Sequence, residues 1–433
     1  SGPTGVFSFS FILLDPAAAH FVSLFLVLLK IDIRRKRHVI TANWPELEKK
    51  YLMFNIKRPQ PVMVRGEGVR LWDEAGREYL DFMAGWAVNA LGHCHPAVVS
   101  AIQQQAATLI HTSNQYYTIP QIELAKILVE NTVFDKVFFG NSGAEANEGA
   151  VKLARKWGKV NKGGAYTVIS TLKGFHGRTL AMVAATGKPH YQEPYKPLPA
   201  GFINVPYNDI DAIKAATNSE TVAVLVEPVQ GEGGVNPATQ QYLEDLRKWC
   251  DEEKLLLIFD EVQTGIGRSG KLFAYEVYGV EPDIMSVAKG LGGGMPIGGF
   301  LAKQHAAVFE PGDHGSTFGG NPVSCAAGIA VLNEVINNNI SEHAGKLGEY
   351  LGSRLRELMG KHSIVTAERG LGLLRAIDLR DEVGGEVVNR CHEEGLLINA
   401  VSPTTLRFMP PLIITEAHVD EAIDILDQVL GEF

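Results

Sequence analysis

Lys289 is the residue of this sequence whose setting most clearly suggests chemistry. It lies in IMSVAKGLGGG (residues 284–294), directly after a largely apolar run, and four of the next five residues are glycine. A charged side chain is disfavoured in a strand and glycine is disfavoured in any regular element, so the pattern suggests a function. By itself, however, a lysine in a glycine loop is more simply interpreted as a surface residue.

A second pattern, FGNSGAEANEG, predicts a site for an anion. Gly140 and Gly143 allow a tight turn, and Ser142 supplies a hydroxyl where a helix is expected to begin. The free backbone N–H groups at a helix N-terminus attract anions, and phosphate is a natural ligand there. An ordinary serine N-cap is the alternative and, by itself, the simpler interpretation.

A third pattern is the acidic pair Asp260 and Glu261 at the end of the apolar run LLLIFDE. Ligands of open α/β sheets bind beyond the carboxyl ends of the strands, so these carboxylates are expected at such a site. A carboxylate in that position can hold a protonated ring nitrogen. A solvated acid at a strand end is the competing interpretation.

Together the three patterns favour an aldehyde cofactor that carries a phosphate and a ring nitrogen. The amine of Lys289 would form a Schiff base with it, and the following glycines would leave it room. The rival is a dinucleotide site, because residues 265–270 match GxGxxG and Asp283 follows. Two acids precede that turn and would repel a pyrophosphate, and little chain is left for a crossover helix, so we favour the aldehyde cofactor.

The elements that must position these residues follow a strand–helix alternation. Apolar runs such as AVLVEP and LLLIFDE alternate with helical patterns, which predicts an α/β protein with a mainly parallel sheet. The segment VFFGNSGAEANEGAVKLARKW predicts a strand, a glycine turn and a helix whose small and apolar residues repeat at helical spacing. A short helix is predicted in NWPELEKKYLMF, and a helix opened by Pro96 follows a hairpin-like strand region.

Length and composition bound the possibilities further. A chain of 433 residues with 45% apolar residues is expected to form two or three domains. The net charge of −9 argues against a nucleic-acid partner. The four cysteines are scattered without a CxxC pair, which suits a reducing compartment such as the cytoplasm and suggests neither a zinc site nor a disulfide frame.

The N-terminal region has a different character. Residues 6–31 are mostly apolar and the basic cluster 34–37 follows, so a membrane span is one interpretation. Asp15, Pro16 and His20 interrupt the run, and a signal peptide would carry its positive charges first. We therefore expect residues 1–40 to be a leader outside the fold, with no membrane partner unless the apolar run is a genuine anchor.

The sequence resembles the subgroup III aminotransferases, pyridoxal-phosphate enzymes of fold type I. Eight motifs match in the family's order over about residues 41–433, namely GHCHP (92–96), NSGAEANE (141–148), GFHGRT (174–179), EPVQGEGG (227–234), DEVQTGIGRSG (260–270), AKGLGGG (288–294), GSTFGGNP (315–322) and LRFMPPL (406–412). The resemblance implies a seven-stranded, mainly parallel sheet in a large domain (96–318), a smaller α+β domain (319–433), and an N-terminal segment (41–95) that joins the small domain.

The resemblance also implies roles for single residues. Lys289 would form the Schiff base and Asp260 would pair with the pyridinium nitrogen, while the other cofactor contacts would come from Ser142, Gly143, Ala144, Phe175, Glu261, Val262, Gln263 and Thr317. Substrate would be bound by Arg178, Glu232, Ser316 and Arg407. The two arginines would clamp carboxylates, with Arg407 serving both half-reactions and Glu232 acting as its gate. Thr317, with Ser316 beside it, would reach in from the partner subunit of a homodimer. No metal is implied.

Three segments, AGWAVNALGHCHP, HTSNQYY and FHGRT, most resemble the acetylornithine aminotransferases within this family. They imply transfer of the terminal amino group of N2-acetyl-L-ornithine to 2-oxoglutarate, a step of arginine biosynthesis. Ornithine, succinylornithine, 4-aminobutyrate and other ω-amino donors are alternatives, and an aminomutase is a more distant one. Ornithine aminotransferases tend to carry a tyrosine before GHCHP where this chain has Trp86, which favours the acetylated donor.

Overall fold

The computed structural model describes residues 43–59 and 61–433. The described residues up to Val62 and residues Met63–Phe433 separate into two compact units. The first contains helix α1 (Trp44–Tyr51), which Asn43 caps by accepting a hydrogen bond from the backbone of Glu46. This is the short helix predicted from NWPELEKKYLMF.

The predicted leader, residues 1–40, and its candidate anchor, residues 6–31, lie outside the described residues. Both expectations therefore stay predictions. Within the part of the chain that the structure describes, no helix is long and apolar enough to cross a membrane.

The second unit alternates strands and helices along the chain. Its strands are β1 (Met63–Glu67), β2 (Arg70–Asp73), β3 (Glu78–Asp81), β4 (Lys136–Gly140), β5 (Thr167–Thr171), β6 (Phe202–Val205), β7 (Thr221–Val226), β8 (Val229–Gln230), β9 (Asn236–Pro237), β10 (Leu256–Asp260), β11 (Ile284–Val287), β12 (Gly298–Ala302), β13 (Val365–Leu371), β14 (Leu374–Leu379), β15 (Leu396–Leu397), β16 (Asn399–Ser402) and β17 (Thr405–Phe408). Besides the four-residue helical turn Ala84–Ala87, its helices are α2 (Pro96–Thr108), α3 (Ile119–Glu130), α4 (Gly143–Asn161), α5 (Leu180–Ala185), α6 (Pro189–Gln192), α7 (Ile210–Ala216), α8 (Gln240–Glu253), α9 (Ala274–Tyr278), α10 (Pro322–Asn337), α11 (Ile340–Lys361), α12 (Gly384–Glu394) and α13 (Glu416–Leu430).

The largest sheet has seven strands in the order β4-β12-β11-β10-β7-β5-β6. Strands β11, β10, β7, β5 and β6 are parallel to one another, and β12 runs antiparallel to both of its neighbours, β11 and β4. Leu257 and Phe259 of β10 join one apolar cluster while Leu256 and Ile258 join another, so apolar side chains cover both faces. The predicted α/β fold with a mainly parallel seven-stranded sheet is confirmed.

The strand directions bring several chain segments to one edge of this sheet. Because β12 is antiparallel to both β4 and β11, the six other strands all point the same way. The residues that follow β4, β5, β7, β10 and β11 are therefore expected at a common edge, where ligands of such sheets bind. Asp260 ends β10 and Lys289 follows β11, so both lie at this edge.

Two four-stranded sheets and the two-stranded pair of β8 and β9 complete the unit. Strands β13, β14, β17 and β16 form an antiparallel sheet, and β15 pairs in parallel with β3 beside β2 and β1. The second pairing joins residues 396–397 to the N-terminal hairpin region, which is distant in sequence. The division into segments 41–95, 96–318 and 319–433 stays a prediction.

Candidate active site

A cavity of about 410 Å³ opens at the carboxyl edge of the seven-stranded sheet. Most of the residues predicted to bind cofactor or substrate line it, namely Ser142, Gly143, Ala144, Phe175, Arg178, Glu232, Asp260, Val262, Gln263 and Lys289. These residues come from five separate segments of the chain. The strand order brings them together, because parallel strands end at the same edge of the sheet.

Lys289 begins a 3₁₀ turn directly after β11, with a left-handed backbone (φ 44°). Burial lowers the pKa of the Lys289 amine and Arg407 adds to this effect, whereas the nearby carboxylates of Glu232, Asp260 and Glu227 oppose it. A lowered pKa leaves a larger fraction of the amine unprotonated near neutral pH. That is the state in which a lysine can act as a nucleophile or a base.

Asp260 is 4% exposed, and both of its carboxylate oxygens are hydrogen-bonded. Oδ1 accepts from the backbone of Val262 (3.0 Å), and Oδ2 accepts from Asn147 Nδ2 (2.7 Å) and from His176 Nδ1 (2.8 Å). Burial opposes protonation of His176, but the hydrogen bond to Asp260 and the charges of Asp260 and Glu227 together outweigh it, so the pKa of His176 is raised. A proton-donating His176 and Asn147 therefore hold Asp260 in one orientation.

The N-terminus of α4 faces the same cavity. Ser142 caps this 19-residue helix by accepting a hydrogen bond from the backbone of Glu145 (3.2 Å), so the predicted helix start is confirmed. A Cβ on Gly143 would lie 2.8 Å from a methyl carbon of Val262, so only glycine allows this close approach to the loop after β10. The unpaired N–H groups of this helix end are suited to a phosphate.

Arg407 is fully buried and does not itself line the cavity, but it contacts Glu232 and Gln263, which do. Its Nη1 donates to Glu232 Oε1 (2.6 Å), to the carbonyl of Gly231 (3.1 Å) and to Gln263 Oε1 (3.3 Å), whereas Nη2 has no partner within the described residues. Burial alone would raise the pKa of Glu232, but Arg407 and the neighbouring lysines outweigh it and lower it. The arginine is thus neutralised by Glu232 through one nitrogen and still has a free donor.

Arg178 has a different environment. Its guanidinium carbon lies 3.7 Å from the centre of the Tyr191 ring and 5.5 Å from that of Phe175. In the part of the chain that the structure describes, it forms no ion pair. An exposed arginine that stacks on aromatic rings and lines a cavity can bind a carboxylate with both nitrogens.

Comparison with known proteins agrees with this geometry. The model of the family described as aminotransferase class-III matches residues 55–430. The chain belongs to this family. Acetylornithine aminotransferase from Caldanaerobacter subterraneus subsp. tengcongensis is 55% identical over 386 residues (89% of this chain and 98% of the relative), and that from Methanocaldococcus jannaschii is 51% identical over 393 residues (90% and 98%).

Solved aminotransferase structures also match the fold. The ornithine aminotransferase from Toxoplasma gondii has a TM-score of 0.87 at 32% identity and covers 90% of this chain and 94% of that chain. Acetylornithine aminotransferase from Elizabethkingia anophelis has a TM-score of 0.80 at 38% identity, covering 90% and 98%. The cofactor of this class-III aminotransferase is pyridoxal 5′-phosphate. The Lys289 amine, the Asp260 carboxylate and the N-terminus of α4 fit its aldehyde, ring nitrogen and phosphate.

Glu261 of this class-III aminotransferase has a structural environment that the sequence interpretation did not anticipate. Its Oε1 accepts from the backbone of Tyr275 (2.7 Å), and its Oε2 accepts from Thr264 Oγ1 (2.6 Å) and from the backbone of Ala274 (2.8 Å). Neighbouring residues at a strand end point to opposite sides, so Glu261 faces away when Asp260 faces the cavity. Its carboxylate holds the start of α9 and does not line the cavity, and its predicted contact with the cofactor stays a prediction.

Replacing Glu261 by alanine is expected to lower the free energy of unfolding by about 2–4 kcal/mol, because three buried hydrogen bonds to a carboxylate are lost. Urea denaturation measures this change. Glu281→Ala removes only an exposed ion pair with Lys303 and should cost less than about 0.5 kcal/mol. A cofactor affinity that falls while stability is retained would assign Glu261 to the cofactor instead.

Ser316 and Thr317 do not line the cavity. Ser316 Oγ accepts from Asn141 Nδ2 (3.2 Å) and from the backbone of Gly319 (3.0 Å), and Asn141 does line the cavity. Ser316 thus lies at the rim of the site in its own chain, and Thr317 is exposed. Their predicted reach into a partner's site stays a prediction.

The GxGxxG segment (265–270) of this aminotransferase does not open a helix that could carry a pyrophosphate. A Cβ on Gly270 would lie 3.1 Å from the Cα of Gly345, and one on Gly267 would lie 3.0 Å from Leu412. These glycines therefore allow close packing, and α9, the next helix, has only five residues. The dinucleotide interpretation does not agree with this local structure.

Three further residues at the site were given no role in the sequence analysis. Asn147 and His176 hold Asp260, and both stand inside motifs that were recognised. Glu227 lines the cavity and accepts from the backbone of Phe175 (2.8 Å) and Gly231 (3.1 Å). Burial raises the pKa of Glu227 to about 7. Asn147 lies about one helical turn after Gly143, the first residue of α4, and Glu227 directly follows β7. Helical spacing and position at a strand end could therefore have indicated both residues from the sequence.

Proposed function

We propose that this class-III aminotransferase moves the terminal amino group of N2-acetyl-L-ornithine to 2-oxoglutarate. The products are N-acetyl-L-glutamate 5-semialdehyde and L-glutamate, as in arginine biosynthesis. The similarity to acetylornithine aminotransferases over most of the chain supports this donor. The observation that carries the proposal is the Glu232–Arg407 pair together with Arg178, which lines the same cavity as Glu232 and forms no ion pair among the described residues.

The two substrates place their carboxylates differently. The reacting carbon of acetylornithine carries no carboxylate, and its single carboxylate lies at the far end of the molecule. The reacting carbon of 2-oxoglutarate is bonded to one carboxylate, and a second lies at the far end. The region around Lys289 must therefore be neutral for the first substrate and cationic for the second.

Glu232 and Arg407 meet this requirement. With Glu232 on Arg407, the pair presents no net charge to acetylornithine, whose carboxylate binds Arg178. When 2-oxoglutarate enters, Glu232 withdraws, Arg407 binds the carboxylate beside the reacting carbon, and Arg178 binds the distal one. This assignment changes the expectation from sequence that Arg407 serves both half-reactions.

The remaining residues of the site bind the cofactor and move a proton. Pyridoxal phosphate supplies an aldehyde for the substrate amine and a ring that stabilises negative charge on the amine-bearing carbon. Lys289, once its amine is released, removes a proton from that carbon and returns one. Asp260, oriented by Asn147 and His176, faces the ring nitrogen. Ser142, Gly143 and Ala144 would hold the phosphate of the cofactor, and Phe175, Val262 and Gln263 would contact its ring.

The active unit is a homodimer in this proposal, with Thr317 contributed to the partner's site, and we place it in the cytoplasm. Several large apolar side chains are exposed around this residue, among them Ile110 62%, Tyr116 73%, Tyr117 97%, Ile119 72% and Phe318 62%. The segments that carry them are joined, since Asn114 donates to the carbonyl of Ser316 (2.7 Å). A connected apolar surface of this kind is typical of a subunit interface.

Tyr117→Asp is expected to weaken the dimer, because it buries a charge in an apolar interface. Sedimentation velocity at about micromolar concentration should show a shift towards monomer, together with lower activity. Glu130→Gln changes an exposed residue at the end of α3 and should leave the dimer unchanged. A fully active monomeric wild-type enzyme would contradict the proposed site.

A panel of amino donors tests the substrate. Acetylornithine, ornithine, succinylornithine and 4-aminobutyrate are each supplied with 2-oxoglutarate, and kcat/KM is measured for each. Acetylornithine should exceed ornithine at least about tenfold, since the free α-ammonium of ornithine would lie beside Arg178 at a cost of roughly 1.4 kcal/mol or more. A higher kcat/KM for any other donor would replace the proposed substrate while leaving the family assignment intact.

A further inference from the structure

Lys188 is a cation close to the site that the mechanism above does not use. It stands just before α6, is half-buried, and its Nζ donates to the main-chain oxygen of Glu232 (2.5 Å). Among the described residues no carboxylate lies within ion-pair distance of it. Burial lowers the pKa of Lys188, and the charges of Arg407 and Arg178 add to this while Glu232 and Glu227 oppose it. A half-buried ammonium that lacks an anionic partner is suited to receive one.

The gate requires such a cation. Glu232 holds Arg407 through a single nitrogen, so an incoming carboxylate must displace Glu232 to bind the guanidinium with both nitrogens. A partly buried carboxylate that leaves one cation without finding another is strongly disfavoured. Opening the gate therefore depends on a second partner for Glu232.

Three other cations are near Glu232, but each is otherwise engaged when 2-oxoglutarate binds. Lys289 takes part in the chemistry, Arg407 holds the carboxylate beside the reacting carbon, and Arg178 holds the distal carboxylate. Lys188 remains. Because its Nζ is already bonded to the main-chain oxygen of Glu232, Lys188 lies beside the backbone about which the glutamate side chain rotates.

We propose that Lys188 is the alternate partner of Glu232, which receives its carboxylate when a dicarboxylate occupies Arg407. The gate then has two discrete positions, Glu232 on Arg407 for the amino donor and Glu232 on Lys188 for the amino acceptor. This inference rests on the proposed function, since it needs a site that accepts one and then two carboxylates. A ligand shifts such an equilibrium by its difference in affinity for the two positions.

Separate half-reactions test the proposal on the dimeric holoenzyme. The absorbance of the bound cofactor follows its conversion by acetylornithine, and that of the pyridoxamine phosphate form follows its conversion by 2-oxoglutarate. Lys188→Met should lower kcat/KM for 2-oxoglutarate by roughly 10- to 50-fold and that for acetylornithine by less than about threefold. Lys188→Arg should restore most of the loss. Lys248→Met, a change of an exposed lysine on α8, should alter neither.

A double-mutant cycle separates a charge partner from a purely structural role. In a Glu232→Gln background, Lys188→Met should change kcat/KM for 2-oxoglutarate by less than about twofold, because no carboxylate remains to be received. An equal fall in both backgrounds, or equal falls in both half-reactions of the single variant, would overturn the proposal.

A binding measurement keeps the test independent of the amino donor. Glutarate, a non-reacting dicarboxylate, should bind the Lys188→Met holoenzyme at least about tenfold more weakly than wild type in calorimetry, while pentanoate should bind both alike. Unchanged glutarate binding would overturn the proposed role of Lys188. A wild-type enzyme that binds glutarate normally but ignores acetylornithine would instead refute the proposed substrate.

Discussion

Lys289→Ala is expected to lower kcat by roughly 10³-fold or more, because the residue supplies both the covalent attachment and the proton transfer. The variant should still bind pyridoxal phosphate, since the N-terminus of α4 and Asp260 are unchanged. Glutamate formation from acetylornithine and 2-oxoglutarate measures the loss. In the wild type, borohydride should fix a pyridoxyl group on the peptide that contains Lys289.

Lys271→Ala is the matched control, because Lys271 is exposed and outside the cavity lining. It should retain wild-type turnover and the same borohydride product. Attachment of the pyridoxyl group to another lysine, or an Lys289→Ala variant with more than a few per cent of wild-type turnover, would show that the reactive amine has been assigned wrongly.

Arg407→Lys is expected to act mainly on the 2-oxoglutarate half-reaction. The variant keeps a positive charge but loses the planar fork, and roughly 1.5–3 kcal/mol of charge-assisted hydrogen bonding should be lost, on the order of a 10- to 150-fold fall in kcat/KM. The acetylornithine half-reaction should change by less than about threefold, since Glu232 covers Arg407 while that substrate is bound. Single-turnover kinetics of each half-reaction measure the two effects.

Arg178→Lys provides the comparison, because Arg178 is assigned to the distal carboxylate of both substrates. Both half-reactions should therefore slow by a similar factor. Equal losses in both half-reactions from Arg407→Lys would support the simpler assignment made from the sequence, in which Arg407 binds a carboxylate of every substrate. No loss from Arg407→Lys would place the carboxylate clamp elsewhere.

Local sequence was sufficient to predict those features whose structural cause lies within one short segment. Helix α4 begins at Gly143 because Ser142 can cap it and because apolar residues follow at helical spacing, and both features are present in one short segment. Asp260 and Lys289 could be assigned to the same site for a related reason. Each follows an apolar strand, and parallel strands end at a common edge.

The recognised motifs also allowed site roles to be assigned to residues that no local pattern brings together. Arg407 and Glu232 are 175 positions apart, and only the resemblance to the aminotransferase family implied that they would meet. The tertiary structure added the state of that pair, one shared nitrogen and one free donor, which depends on the packing of β17 beside the loop after β8.

Side-chain direction and pairing across strands were decided by the tertiary structure alone. Asp260 and Glu261 are adjacent acids of nearly equal character, yet one faces the cavity and the other holds α9. His176 reaches Asp260 because the strand order places β5 close to β10, and Asn147 reaches it because α4 packs against β10 and β11. Lys188 reaches Glu232 at the same edge. The sequence by itself determined the elements and the reactive groups. Which buried polar groups became partners depended on the order of strands in the sheet, because contacts between distant segments form only when the whole sheet is assembled.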